Sequence, residues 1–131
     1  MTYFYLYNIL VKSFGFTSRM TTGEFMKDLH ISILNDIYGA LLTEKQRDIV
    51  RDYYDCDLSL SEIAESDGIS RQAVSDTVRT SEKILCRYEE MLGFASKLFD
   101  IRSEAEKISG LISEGRISEA KAAADKLISE L

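Results

Sequence analysis

From Leu29 to Leu42 the apolar positions Leu29, Ile33, Leu34, Ile37, Leu41 and Leu42 step by four, one, three, four and one. That is the spacing of one face of an α-helix. TEKQ follows at residues 43–46. Thr43 suits the cap of a second helix, and Gln46, three residues on, suits the return bond of a capping box. The apolar positions of this helix are Ile49, Val50, Tyr53 and Tyr54, again at helical spacing. Asp55, Cys56 and Asp57 form a polar loop. Ser59 and Glu62 repeat the capping-box pattern, predicting a third helix with Leu60, Ile63 and Ala64 facing inward. Gly68 stands where the chain must turn sharply, because glycine accepts the left-handed conformation at little cost. Ile69 packs under the turn and Ser70 caps a fourth helix beginning at Arg71. Its predicted inward face is Val74, Thr77, Val78, Ser81, Leu85, Tyr88 and Leu92. Its outward face is Arg71, Gln72, Ser75, Asp76, Arg79 and Lys83.

The period then changes. Phe94, Leu98, Ile101, Ala105, Ile108 and Ile112 are spaced four, three, four, three, four, a heptad seam. Met91 extends the seam by one step, giving a helix roughly 32 Å long at about 1.5 Å per residue. Gly93 either interrupts this helix or is tolerated within it. Gly110 and Gly115 mark its end. The tail from Gly115 is a further amphipathic helix with Ile117, Ala120, Ala124, Leu127, Ile128 and Leu131 on one face, suited to fold back on the seam as a hairpin. Such a narrow stripe on a long helix wants a partner, either this tail or a second copy of the chain.

The stretch EIAESDGISRQAVSDTVRT, residues 62–80, carries the spacing of a helix-turn-helix. A small residue, Ala64, sits where the second helix crosses the first. Gly68 supplies the turn, and a β-branched anchor, Val74, follows one and a half turns into the second helix. The outward residues of that helix are then aimed where a major groove would lie. The predicted fold is all-α: a winged-helix-like helix-turn-helix, without a wing. A long C-terminal helix and a helical hairpin follow it. The domains are residues 1–28, an N-terminal extension that is disordered or non-native, 29–92, the helix-turn-helix domain, and 93–131, a C-terminal helical appendage.

The run LLTEKQRDIVRDYY, followed by SLSEIAESDGISRQAVSDTVRTSEKILCRYE, resembles the YlxM family of helix-turn-helix DNA-binding proteins. The likeness covers Ile31 to Leu92, and SRQAV followed by EKIL is its most specific part. That family is in turn similar to the fourth region of bacterial sigma factors, which reads promoter DNA. The resemblance implies a regulator linked to the signal recognition particle pathway. The partners it implies are that particle's components. It also implies that the stretch before Met26 lies outside the family's pattern.

Charge complicates the DNA reading. The net charge of the chain is −6, and residues 31–93, which hold the motif, carry 13 acidic and 7 basic groups. A duplex binder usually shows a basic footprint. Here Arg71, Arg79, Lys83 and Arg87 are the basic strip of an acidic module, with Gln72 and Ser75 among them. Arg71 and Gln72, in the first turn, suit guanine and adenine edges, and Ser75 and Arg79 suit bases or phosphate. Lys83 and Arg87 suit phosphate. Asp76 would repel phosphate. The expected partner is duplex DNA, bound by a homodimer joined through the C-terminal helices. The alternative is an interaction module for the GTPase of the signal recognition particle or for RNA polymerase.

No catalytic site is predicted. Ser59 and Ser70 are caps, and the single histidine, His30, has no ligand partners at metal spacing. Asp55 and Asp57 fall short of a calcium loop, and no phosphate-binding glycine loop is present. No cofactor, metal or small-molecule substrate is expected. Cys56 and Cys86 read as reduced thiols of a cytosolic protein. The N-terminal TYFYLYNILV is apolar but too short to span a membrane, which takes about 20 residues. It suits a strand, a segment docked on the core, or an extension foreign to the native protein.

Overall fold

The computed structural model describes residues 22–131, with side chains from residue 29 onward. TYFYLYNILV therefore lies outside the described residues, as does most of the extension expected over 1–28. Among the described residues six helices follow one another: α1 (Thr22–Tyr38), α2 (Glu44–Tyr54), α3 (Leu60–Asp67), α4 (Arg71–Leu92), α5 (Phe94–Ser113) and α6 (Ile117–Glu130). A 3-10 turn, Gly39–Leu41, links α1 to α2. Helix α1 runs through residue 29, where the sequence pattern placed the start of the domain. Two compact units divide after Gly93.

In the first unit α1, α2 and α3 all pack against α4. Ile31, Leu34, Ile49, Val50, Ile63, Val74 and Leu85 are almost wholly removed from water, each contributing about 1.5–3 kcal/mol of apolar burial. The buried face of α1 is Ile31, Leu34, Asn35 and Tyr38, one step round from the expected Leu29, Ile33, Leu34, Ile37 face. Ile33 and Ile37 are only half-buried. The helix ends at Tyr38 and the 3-10 turn swings Leu41 outward, leaving Leu42 to return to the core. Both capping boxes form. Thr43 Oγ1 accepts from the Gln46 amide at 3.2 Å while Gln46 Oε1 accepts from the Thr43 amide at 3.1 Å. Ser59 Oγ and the Glu62 carboxylate do the same at 3.2 and 2.8 Å.

Helix α4 does not run into the heptad seam. Gly93 adopts φ 59°, ψ 23° and donates its N–H to the Glu89 carbonyl, closing the helix at Leu92. An L side chain resists this left-handed conformation and glycine does not. Met91 therefore belongs to α4, not to the seam, and the single 32 Å helix becomes two. Leu92, expected inward, is 60% exposed.

In the second unit α5 and α6 pack on each other as the hairpin. Gly110 lies inside α5, and the turn comes at Gly115, with φ 73°. The inner face of α6 is Ala120, Ala123, Ala124 and Leu127; Ile117, Ile128 and Leu131, expected on it, are exposed. On α5 the hairpin half-buries Ile101, Ile108 and Leu111, leaving Phe94, Leu98, Ala105 and Ile112 in the open. The seam is covered along one flank only.

Candidate nucleic-acid interface

Helices α3 and α4 are joined by three residues. Gly68 takes φ 65°, ψ 32° and donates its N–H to the Ala64 carbonyl, which also accepts from the Ile69 amide at 3.1 Å. Both bonds satisfy carbonyl capacity that the end of α3 would otherwise leave open. Ser70 Oγ accepts from the Ala73 amide at 3.1 Å and starts α4. Ala64 and Val74 lie in one buried cluster with Ile49, Ile63 and Val78, ringed by Tyr53, Tyr54, Leu58, Leu60 and Ile69. The small side chain of Ala64 lets the two helices close on each other. Ser59, Glu62, Ala64, Gly68, Ser70 and Val74 thus sit at the cap, turn and crossing positions of the motif.

Outward on α4, Arg71, Gln72, Arg79, Lys83 and Arg87 are exposed, and Ser75 is half-buried. Arg71, Ser75, Arg79, Lys83 and Arg87 follow each other at every fourth residue. At about 100° per residue such a row winds around the helix, so Arg87 lies about 160° round from Arg71 and about 24 Å further along. Arg71, Gln72, Ser75 and Arg79 share an arc of about 100° over the first two turns. Lys83 lies about 20° beyond its edge and Arg87 about 60° beyond it. The expected strip is therefore a shallow spiral, with Arg87 furthest from the base-reading candidates.

The ion pairs among the described residues engage Arg51, Arg102, Lys107, Arg116 and Lys126. None of them uses Arg71, Arg79, Lys83 or Arg87, so among the described residues these four charges have no ion-pair partner. Gln72 is different: its Nε2 donates to Asp76 Oδ1 at 3.0 Å. Tyr54 donates its hydroxyl to the Glu82 carboxylate, tying α2 to the flank of α4. Tyr53 and Tyr54 meet edge to face, with ring centroids 4.9 Å apart, at the border of the core.

Glu62, in the motif, and His30, on α1, have displaced pKa values. The Glu62 carboxyl is held below its ordinary 4.5 by the hydrogen bonds it makes with Ser59. His30, on α1, falls below 6.5 because burial disfavours its charged form, with Glu89 acting the other way. The Gln72–Asp76 pair was legible as a residue spacing of four on one helix. The pairings of Tyr54 with Glu82 and of Tyr38 with Glu89 carried no local signal. Among the described residues no group of three or more His, Cys, Asp or Glu is placed to hold a metal ion. No described helix is long and apolar enough to cross a membrane.

Residues 25–126 match the model of the UPF0122 family, described as "Putative helix-turn-helix protein, YlxM / p13 like". The match runs well beyond Ile31–Leu92, into α6. A UPF0122 protein of Desulforamulus reducens is 42% identical over 102 residues, 77% of this chain and 87% of that protein. One from Symbiobacterium thermophilum is 52% identical over 73 residues, 55% of this chain and 68% of the relative. One from Geobacillus kaustophilus is 43% identical over 105 residues, 80% and 94% of the two chains.

Proposed function

The chain belongs to this UPF0122 helix-turn-helix family, and from that we propose that it is a DNA-binding regulator acting in the cytoplasm. It lays the start of α4 in the major groove. The observation that carries the reading is the arc of Arg71, Gln72, Ser75 and Arg79, whose two arginines are exposed and have no ion-pair partner among the described residues. Arg71 and Arg79 supply charge to phosphate or guanine, and Gln72 reads a base edge. Lys83, about 20° beyond the arc, and Arg87, about 60° beyond it, add phosphate contacts further along the helix. The open flank of the α5 seam joins two copies, so that two motifs meet two half-sites. Control of genes of the signal recognition particle pathway is what the family likeness adds. The test is titration of the purified chain with duplex DNA from upstream of its own operon at several salt concentrations. Wild type binds with a steep salt dependence. An Arg71→Ala, Arg79→Ala double variant that binds as tightly, with the same salt slope, would falsify the reading.

A second reading rests on the acidity of residues 31–93 and on the exposed apolar side chains Phe94, Leu98 and Ile112. Together they suit a protein partner, such as the particle's GTPase or RNA polymerase, in place of DNA. Co-purification of that partner, with no duplex binding, favours this alternative.

A further inference from the structure

Asp76 is an anomaly for a DNA reader. It is exposed about 40° beyond the arc that carries Arg71, Gln72 and Arg79, close enough to repel phosphate there. Its Oδ1 holds Gln72 Nε2 at 3.0 Å, one helical turn back. We infer that Asp76 is a positioning residue that turns Gln72 into a reader of adenine, an inference that rests on the DNA-binding reading above.

A glutamine carboxamide has two N–H donors and one carbonyl acceptor. Asp76, an acceptor only when ionised, takes one N–H. Turned end for end, the amide would set its oxygen against the carboxylate, and two acceptors repel. The carboxylate therefore fixes which end of the amide is which, and one N–H and the carbonyl remain for a ligand. Adenine presents an acceptor at N7 and a donor at N6 in the major groove, the complement of that remainder. Guanine presents two acceptors, N7 and O6, and its O6 meets the glutamine carbonyl unfavourably. Gln72 is the second residue of α4, in the turn that enters the groove deepest in this motif. Asp76 also weakens binding to any duplex by repulsion, so it exchanges affinity for selectivity.

The experiment uses the full chain and a pool of duplexes with a randomised centre. Wild type is expected to enrich a site containing an A·T pair at which the other three pairs cost about tenfold or more in affinity. Gln72→Ala should abolish the preference at that pair alone. Asp76→Ala and Asp76→Asn should lose most of it, while binding unselected duplex more tightly than wild type, with unchanged melting temperatures. Asp76→Glu, which keeps the carboxylate, should restore the preference. The inference is overturned if Asp76→Ala keeps the full adenine preference, or if the pair that depends on Gln72 is not A·T. In either case the DNA-binding reading survives so long as affinity still depends on Arg71 and Arg79. If wild type enriches no site at all and the arginine variants change nothing, both fall together.

Discussion

Tyr38 donates its hydroxyl to Glu89 Oε2 at 2.6 Å, joining the last residue of α1 to the last turn of α4 across 51 positions of sequence. The Tyr38 ring also lies 6.0 Å from that of Tyr88, tilted by 32°. The far half of α4 is thereby held against α1, and the half that carries the motif projects from a fixed base. Removing the hydroxyl alone tests this. Tyr38→Phe keeps the ring and its packing but strips a hydrogen bond to a charged group, worth about 2 kcal/mol. Urea unfolding should show the midpoint falling with the slope unchanged. Duplex affinity of the still-folded protein should be unaffected, since Glu89 is remote from the arc.

The same substitution at two glycines should have opposite signs. Gly68 has φ 65° and nothing within 4 Å of where a Cβ would stand. Its replacement by Ala meets no clash, and its cost is the left-handed backbone alone, about 1–2 kcal/mol. Asn, which tolerates that conformation, should cost less. Gly110 lies within α5 at ordinary helical geometry, also with open space around it. There Ala should stabilise by about 0.5–1 kcal/mol, because glycine is the weaker helix former. Thermal or urea unfolding of the two variants, compared side by side, decides the matter. A destabilised Gly110→Ala would mean the α5 helix is not continuous there.

Acid should weaken the first unit in two separate windows. The imidazole of His30 has a folded pKa below 6.5, so the unfolded chain takes up a proton first as pH falls. Stability is therefore full above about pH 6.5 and declines as pH drops through the range between the unfolded and folded values. His30→Gln, which cannot titrate, should flatten the curve of stability against pH there. Glu62 acts lower. Its folded pKa is depressed by the bonds with Ser59, so its contribution is present above the ordinary carboxylate value and lost as pH falls through the folded one. Glu62→Gln should remove that second slope and leave the first. A single slope untouched by either substitution would contradict both assignments.

The parts of this fold that depend on neighbours in sequence were legible in advance. Thr43 with Gln46 and Ser59 with Glu62 are read from three-residue spacings, and Gly68 from the demand of a tight turn for a residue free of a Cβ. Where periodicity was ambiguous, tertiary packing chose. The α1 pattern was read as one face, and packing buries the adjoining one instead, where Asn35 donates to the Arg47 carbonyl at 3.3 Å. Polarity alone would have turned it outward. Gly93 was readable as a break or as a tolerated glycine. Only its backbone angles separate the two, and they move Met91 out of the seam. In the interface the residue types, the winding of the arginine row and the four-residue spacing of Gln72 and Asp76 were visible; that Asp76 accepts from Gln72 Nε2 required the geometry of α4.

The seam on α5 keeps an open flank. Leu98 is 40% exposed and Ile112 53% exposed beside the hairpin partner α6. If a single copy is the working form, both face water already, and Leu98→Glu with Ile112→Glu should change stability by no more than about 0.5 kcal/mol per site. If two copies join along this flank, the same pair of substitutions places like charges opposite each other in the interface, where they repel and cannot be hydrated. Sedimentation over a concentration series should then show wild type passing from one to two copies, and the variant remaining single and folded. Duplex affinity should fall with it, because the second motif no longer arrives at a high effective concentration once the first is bound. A wild-type chain that stays single at every concentration would remove the dimer from the DNA-binding reading. A variant that unfolds would instead place Leu98 and Ile112 in the hairpin's own core.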